Sequence, residues 1–172
     1  MNPVYKITTA RPQDLALIPA IELAAARLLA GHAPESVLAE CSSQEQLQEC
    51  MERGLLWVAL AGDVAVGFAQ VELLEPGNAH LHEIDVHPDH GRRGLGTKLI
   101  MALCEWARAA GFAAVTLTTF REVPWNMPFY ARLGFREIPR EELSPALLSV
   151  LQNEVSRALD PDRRVAMRRP SP

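Results

Sequence analysis

The chain has 172 residues, 48% of them hydrophobic, which is enough for one domain with a sizeable core and short for two. Its formal net charge of -4 argues against general affinity for nucleic acid or for an anionic membrane. Its cysteines, Cys41, Cys50 and Cys104, share no C-x-x-C spacing and read as free thiols.

No apolar run approaches the roughly 18 residues of a membrane span, and the N-terminus has no apolar signal core, so a soluble cytoplasmic protein is expected. Val4 to Thr8 alternates as a short strand. Arg11-Pro12-Gln13-Asp14 opens an Ala- and Leu-rich helix that is expected to run to Gly31, and Ser42-Ser43-Gln44-Glu45 caps a second helix closed by Gly54. Leu55–Ala61, Val64–Leu74 and His80–Val86 then read as an antiparallel meander, with turns at Gly62-Asp63 and Pro76-Gly77-Asn78 and a stop at Pro88.

From Gly94 the apolar period changes from two to about 3.6. Leu95, Leu99, Ala102, Leu103, Trp106 and Ala110 form one helical stripe that Gly111 ends. A strand at Ala114–Thr119, a short helix at Pro128–Leu133, a strand at Phe135–Ile138, a helix from Ser144 to Leu159 and a strand at Arg164–Met167 complete a single α/β domain over residues 1–172. In the tail, Leu143, Leu147, Leu148, Leu151 and Val155 make an apolar stripe that either covers the sheet or forms a homodimer contact.

Between strand and amphipathic helix lies Pro88-Asp89-His90-Gly91-Arg92-Arg93-Gly94-Leu95-Gly96-Thr97-Lys98-Leu99. Two glycines one residue apart permit a tight turn, and the free amides and dipole of a helix start favour an anion, with Arg92 and Arg93 adding charge. A Walker A loop needs Lys directly after its last Gly, but Thr97 stands there; a dinucleotide fingerprint needs a third Gly where Leu99 stands. On the loop alone, a diphosphate site and a glycine-lined helix start with no ligand both remain open.

The order of elements from Val4 to Phe135 resembles the GCN5-related N-acetyltransferase superfamily, most sharply in His80–Leu99 and Pro124–Phe135. Gly91 departs from the Gln or Arg usual in that loop, and Phe129-Tyr130-Ala131-Arg132-Leu133-Gly134-Phe135 is similar to the family's F-Y-x-x-L-G-F block. His80-Leu81-His82-Glu83-Ile84-Asp85-Val86-His87 is similar to the histidine strand of arylalkylamine N-acetyltransferases. The resemblance implies an α+β fold with a mixed, mostly antiparallel, twisted sheet of six to seven strands flanked by helices, and acetyl-CoA as co-substrate with no metal. The cofactor would meet Ile84, Asp85 and Val86 as an added strand, then Arg92, Arg93, Gly94, Leu95, Gly96 and Thr97, with Asn126 and Phe129 near its pantetheine.

An ammonium must lose a proton before it attacks a thioester. His80 and His82 are two apart on a strand and share a face by alternation; His82 is the expected proximal base and His80 the relay toward solvent. The same pair is also compatible with plain strand packing, or with a zinc site that lacks a further ligand of clear spacing. Tyr130 is the expected acid for the leaving thiolate, against core packing beside Leu133. Alternation puts Glu83 and Asp85 on the face opposite His82, with no side-chain chemistry assigned to them. The expected function is acetyl transfer to a small-molecule amine; a protein N-terminus or lysine as acceptor, and a non-catalytic acyl-CoA module, are the alternatives.

Overall fold

The computed structural model describes residues 3–171. Its strands are β1 (Tyr5–Thr9), β2 (Leu56–Ala61), β3 (Val64–Glu75), β4 (Asn78–Val86), β5 (Ala114–Phe120), β6 (Arg136–Glu137) and β7 (Arg164–Pro170). Its α-helices are α1 (Ile18–Ala26), α2 (Glu35–Leu38), α3 (Gln44–Glu52), α4 (Leu95–Ala109), α5 (Met127–Arg132) and α6 (Pro145–Ser156). The seven strands lie in the order β1-β2-β3-β4-β5-β7-β6. Every neighbouring pair is antiparallel except β4 with β5, as the expected mixed sheet requires.

The sheet is covered on both faces. On one, Leu95, Leu99, Ile100, Leu103, Cys104 and Ala107 of α4 are buried with Ala69, Val71, Ala79, Leu81, Val115 and Leu117 of the central strands. The buried stripe is therefore shifted from the expected one, because Ala110 is exposed and Ile100 and Cys104 are inside. On the other face Phe68, Val58 and Leu56 pack against Ile18, Ile21 and Leu47. Cross-strand partners and same-face neighbours, not isolated strand preference, hold these residues in register.

Several elements differ from the sequence reading. The first helix begins as a 3-10 segment, Pro12–Leu17, and ends at Ala26, with a 3-10 turn at Arg27–Leu29 in place of continuation to Gly31. The short α2 was not expected, β6 holds only two residues, and α6 stops at Ser156, before Leu159. In the tail, Leu143, Leu147 and Leu151 pack on Ile138 and Ala166 and so cover the sheet, whereas Val155 is exposed. No helix among the described residues is long and apolar enough to cross a membrane.

Candidate active site

Two irregularities meet in the middle of β4. Along β3, Gln70 lies opposite Glu83, but its neighbour Val71 lies opposite Leu81, so His82 is an extra residue in the ladder. Such a bulge inverts the alternation that follows it. Ala79 and Leu81 before the bulge, and Ile84 and Val86 after it, all pack toward α4. His80, Glu83 and Asp85 are thereby turned to the opposite face, in register with Glu72, Gln70 and Phe68. The expectation that Glu83 and Asp85 point away from the histidine side is corrected on this ground.

At the same place β4 leaves β5. The parallel pairing runs from Asn78 opposite Ala114 to Leu81 opposite Leu117 and then ends, although β4 continues to Val86 and β5 to Phe120. Ile84, Asp85 and Val86 thus keep one edge without a strand partner, which is an acceptor for an extended ligand.

The loop after β4 leads into α4 at this opening. Gly94, at φ 74°, takes the left-handed conformation that a side chain resists, and no side chain caps α4 among the described residues. The first N–H groups of the helix therefore stay available beside exposed Arg92 and Arg93. Arg93 lies over the Tyr5 ring, 5.9 Å from its centroid, and the Tyr5 hydroxyl is 3.0 Å from His90 Nδ1. A Cβ built on Gly96 would sit 3.5 Å from Phe129, so α5 closes on the turn with little space between. Uncapped amides, a left-handed glycine and two guanidinium groups fit the diphosphate of a coenzyme.

The histidines sit in contrasting surroundings. His80 is 3% exposed, lies 3.0 Å from Thr116 Oγ1, and burial lowers its pKa to about 4. It is a neutral imidazole at neutral pH. The His82 side chain is 49% exposed and its Nδ1 is 3.3 Å from Glu72 Oε2, a pairing that raises its pKa above the usual histidine value. The expected solvent-side place of His80 is thus corrected: His80 is the interior group and His82 the solvent-facing one.

Around the opening stand Glu22, Glu83 and Glu154, to which the sequence reading gave no role, beside the expected Asp85, Asn126 and Tyr130. Burial lifts Glu83 to about 7, with Glu22 adding repulsion, and Asp85 is also raised by burial and by Glu83. Glu22 comes from α1, roughly sixty residues earlier, so no local spacing announces it. Further along β5, Glu154 of α6 receives two 3.0 Å bonds from Arg164 and one from Thr118 Oγ1, and Arg164 stacks on Phe120. Tyr130 is buried against Phe129 and Phe135, and burial with nearby Asp85 raises its phenol pKa. Asn126 starts α5 and accepts a 2.7 Å hydrogen bond from Thr119 Oγ1.

The arrangement has known counterparts. Residues 24–135 match the acetyltransferase (GNAT) family. A glucosamine 6-phosphate N-acetyltransferase of Trypanosoma brucei brucei is 39% identical over 62 residues, covering 36% of this chain and 40% of that protein. A mycothiol acetyltransferase of Streptomyces avermitilis is 42% identical over 77 residues, covering 37% and 25%. The matched stretch is thus less than half the length of these curated relatives. The fold is shared with a PaiA N-acetyltransferase from Thermoplasma acidophilum in complex with coenzyme A, at TM-score 0.76 and 17% identity, covering 97% of this chain and 99% of that one. It is also shared with N-acetylglutamate synthase from Neisseria gonorrhoeae complexed with coenzyme A and N-acetyl-glutamate, at TM-score 0.73 and 16% identity, covering 98% and 35%. With more than half of its length matched by the family model and the fold reproduced from end to end, this chain belongs to the GNAT acetyltransferase family.

Proposed function

We propose that the protein moves an acetyl group from acetyl-CoA to a primary amine of a small molecule, by direct attack within a ternary complex. The observation that carries this reading is the parting of β4 and β5 after Leu81 and Leu117, directly beside the uncapped start of α4. Two structural neighbours hold coenzyme A, and two sequence relatives are named for small-molecule acceptors, which supports the choice of donor and of acceptor class.

The amides of Leu95, Gly96 and Thr97, with Arg92 and Arg93, would hold the diphosphate. Ile84, Asp85 and Val86 would pair with the pantetheine through their backbone, and Asn126 and Phe129 would flank it. Acetyl-CoA bound there would supply an activated acetyl thioester, whose carbonyl carbon takes the amine nitrogen as the C–S bond breaks.

The chain's own groups move the protons. His82 Nε2, on the ring whose Nδ1 is paired with Glu72, takes the proton of the acceptor ammonium. Glu83, next to it and titrating near neutrality, offers a second acceptor on the same face. Neutral His80, set by Thr116, orients this edge from within. Tyr130 keeps its proton well above neutral pH and presents Oη as a hydrogen-bond donor to the leaving sulfur.

The test is thiol release from acetyl-CoA with a panel of small amines, peptide N-termini and lysine peptides. Turnover of small amines alone supports the proposal. Turnover of peptides alone selects the protein-acceptor alternative, and coenzyme binding with no transfer to any acceptor selects the binding module.

A further inference from the structure

The turn between β4 and α4 holds its shape against a local preference. Arg92 takes φ 56° and Gly94 takes φ 74°, while Arg93 between them is not left-handed. Gly94 adopts that form freely, but the Cβ of Arg92 disfavours it. Such a residue persists only where its surroundings fix it. Alternating hand along the backbone also turns successive N–H groups toward one side, as in an anion nest.

One side chain from the far end of the chain grips this turn on both sides of Arg92. Tyr5 opens β1, opposite Ala61 of β2, and is partly buried against the α4 layer of the core. Its hydroxyl lies 3.0 Å from His90 Nδ1, and the two rings meet edge to face with centroids 5.9 Å apart. His90 is anchored in turn, since its N–H donates to the His87 carbonyl at 2.8 Å. On the other side of Arg92, the Arg93 guanidinium lies over the Tyr5 ring, 5.9 Å from its centroid. Among the described residues Arg93 forms no ion pair. A ring beneath a guanidinium restrains it and leaves the N–H donors at its edge for an anion.

We infer that Tyr5 is a positioning residue for the coenzyme: from β1 it preorganises the turn that meets the diphosphate, fixing the left-handed Arg92 backbone and the direction of Arg93. This rests on the coenzyme-binding reading. Tyr5 acts through His90 and Arg93, not on the reacting atoms. A turn ordered in advance lowers the cost of binding. Loss of Tyr5 therefore shows in affinity for a donor that carries the diphosphate, and not in the rate of the chemical step.

The experiment compares acetyl-CoA with S-acetylpantetheine, which has the thioester arm without the diphosphate, on the native full chain, Tyr5→Leu and Tyr5→Phe. Calorimetry reads acetyl-CoA affinity, and thiol release with the best amine of the panel reads kcat and KM for both donors. Tyr5→Leu loses ring and hydroxyl, so acetyl-CoA should bind about tenfold more weakly, with KM raised alike and kcat held. Tyr5→Phe keeps the ring under Arg93 and should lose about threefold. kcat/KM for S-acetylpantetheine should be the same in all three proteins. A side chain that only packs β1 would change both donors in the same ratio or change neither, and either result overturns the inference. If Tyr5→Leu does not fold by circular dichroism, Tyr5→Phe carries the same comparison. No binding of acetyl-CoA to the native chain removes the coenzyme reading and the inference together. Native binding with equal affinity in the variants overturns the inference alone. Weakened binding in the variants, with no transfer to any amine, leaves the positioning role standing and removes the catalytic reading.

Discussion

Leu81 and Leu117 are the last residues that join β4 to β5. Beyond them the sheet opens, and one residue later His82 interrupts the β3–β4 ladder. The two features act together. The parting frees a backbone edge, and the bulge turns the following acid side chains onto the face that α1 covers. A coenzyme and an acceptor could thus approach the same few residues from different sides.

Tyr130 gives the plainest catalytic prediction. Tyr130→Phe removes only the hydroxyl of a ring packed against Phe129 and Phe135, so folding and coenzyme affinity should persist. kcat is expected to fall about a hundredfold or more, the usual scale for a lost proton donor. Steady-state kinetics beside a coenzyme titration separate the two effects, and unchanged kcat would remove Tyr130 from the chemistry.

The Glu72–His82 pair sets an acid limb. Because Glu72 raises the His82 pKa, His82 is protonated over more of the mildly acidic range and kcat/KM should fall as pH drops through that value. Glu72→Gln should move the limb to lower pH, and NMR titration of the ring should move with it. Both side chains are about half exposed, so little stability should change.

Glu83 and His80 pull stability in opposite directions with pH. Glu83 is raised from 4.5 to about 7, so the folded chain favours its protonated form and stability is lost as pH rises through that interval. His80 is lowered from 6.5 to about 4, so stability is lost as pH falls through that range. Urea unfolding at several pH values checks both. Relative to the native chain, Glu83→Gln should gain stability between about pH 4.5 and 7, and His80→Gln should lessen the loss on the acid side.

Arg164 and Glu154 form the most enclosed ion pair described, with side chains 11% and 9% exposed and two 3.0 Å bonds between them. Replacing one partner strands the other. Glu154→Ala should cost about 3–5 kcal/mol in chemical denaturation, and the double variant Arg164→Met, Glu154→Leu should recover much of it. A single variant with native stability would contradict the pair's structural role.

What the amino-acid sequence discloses of the fold and the site divides along physical lines. The meander, α4 and the Gly94–Gly96 turn depend on patterns within a few residues, and those patterns were visible: alternation, a 3.6 period, paired glycines. The bulge at His82 was not, because it is a relation between two strands that counts one residue more on β4 than on β3. The histidine pair therefore looked alike in sequence and came out unlike, one buried and one solvent-facing. Glu22, clamped by Ser42, and Glu154, clamped by Arg164, reach the opening only through packing of α1 and α6. The tail stripe was legible as apolar, and its main occupants turned out to lie on Ile138 and Ala166.

Calorimetric titration of acetyl-CoA into the folded chain tests the central claim most directly. One equivalent should bind, and Gly94→Val, which forces a branched side chain into a left-handed position at the start of α4, should weaken binding about tenfold or more while the circular dichroism spectrum stays native. No heat of binding from well-folded protein, or equal affinity in the variant, would contradict it.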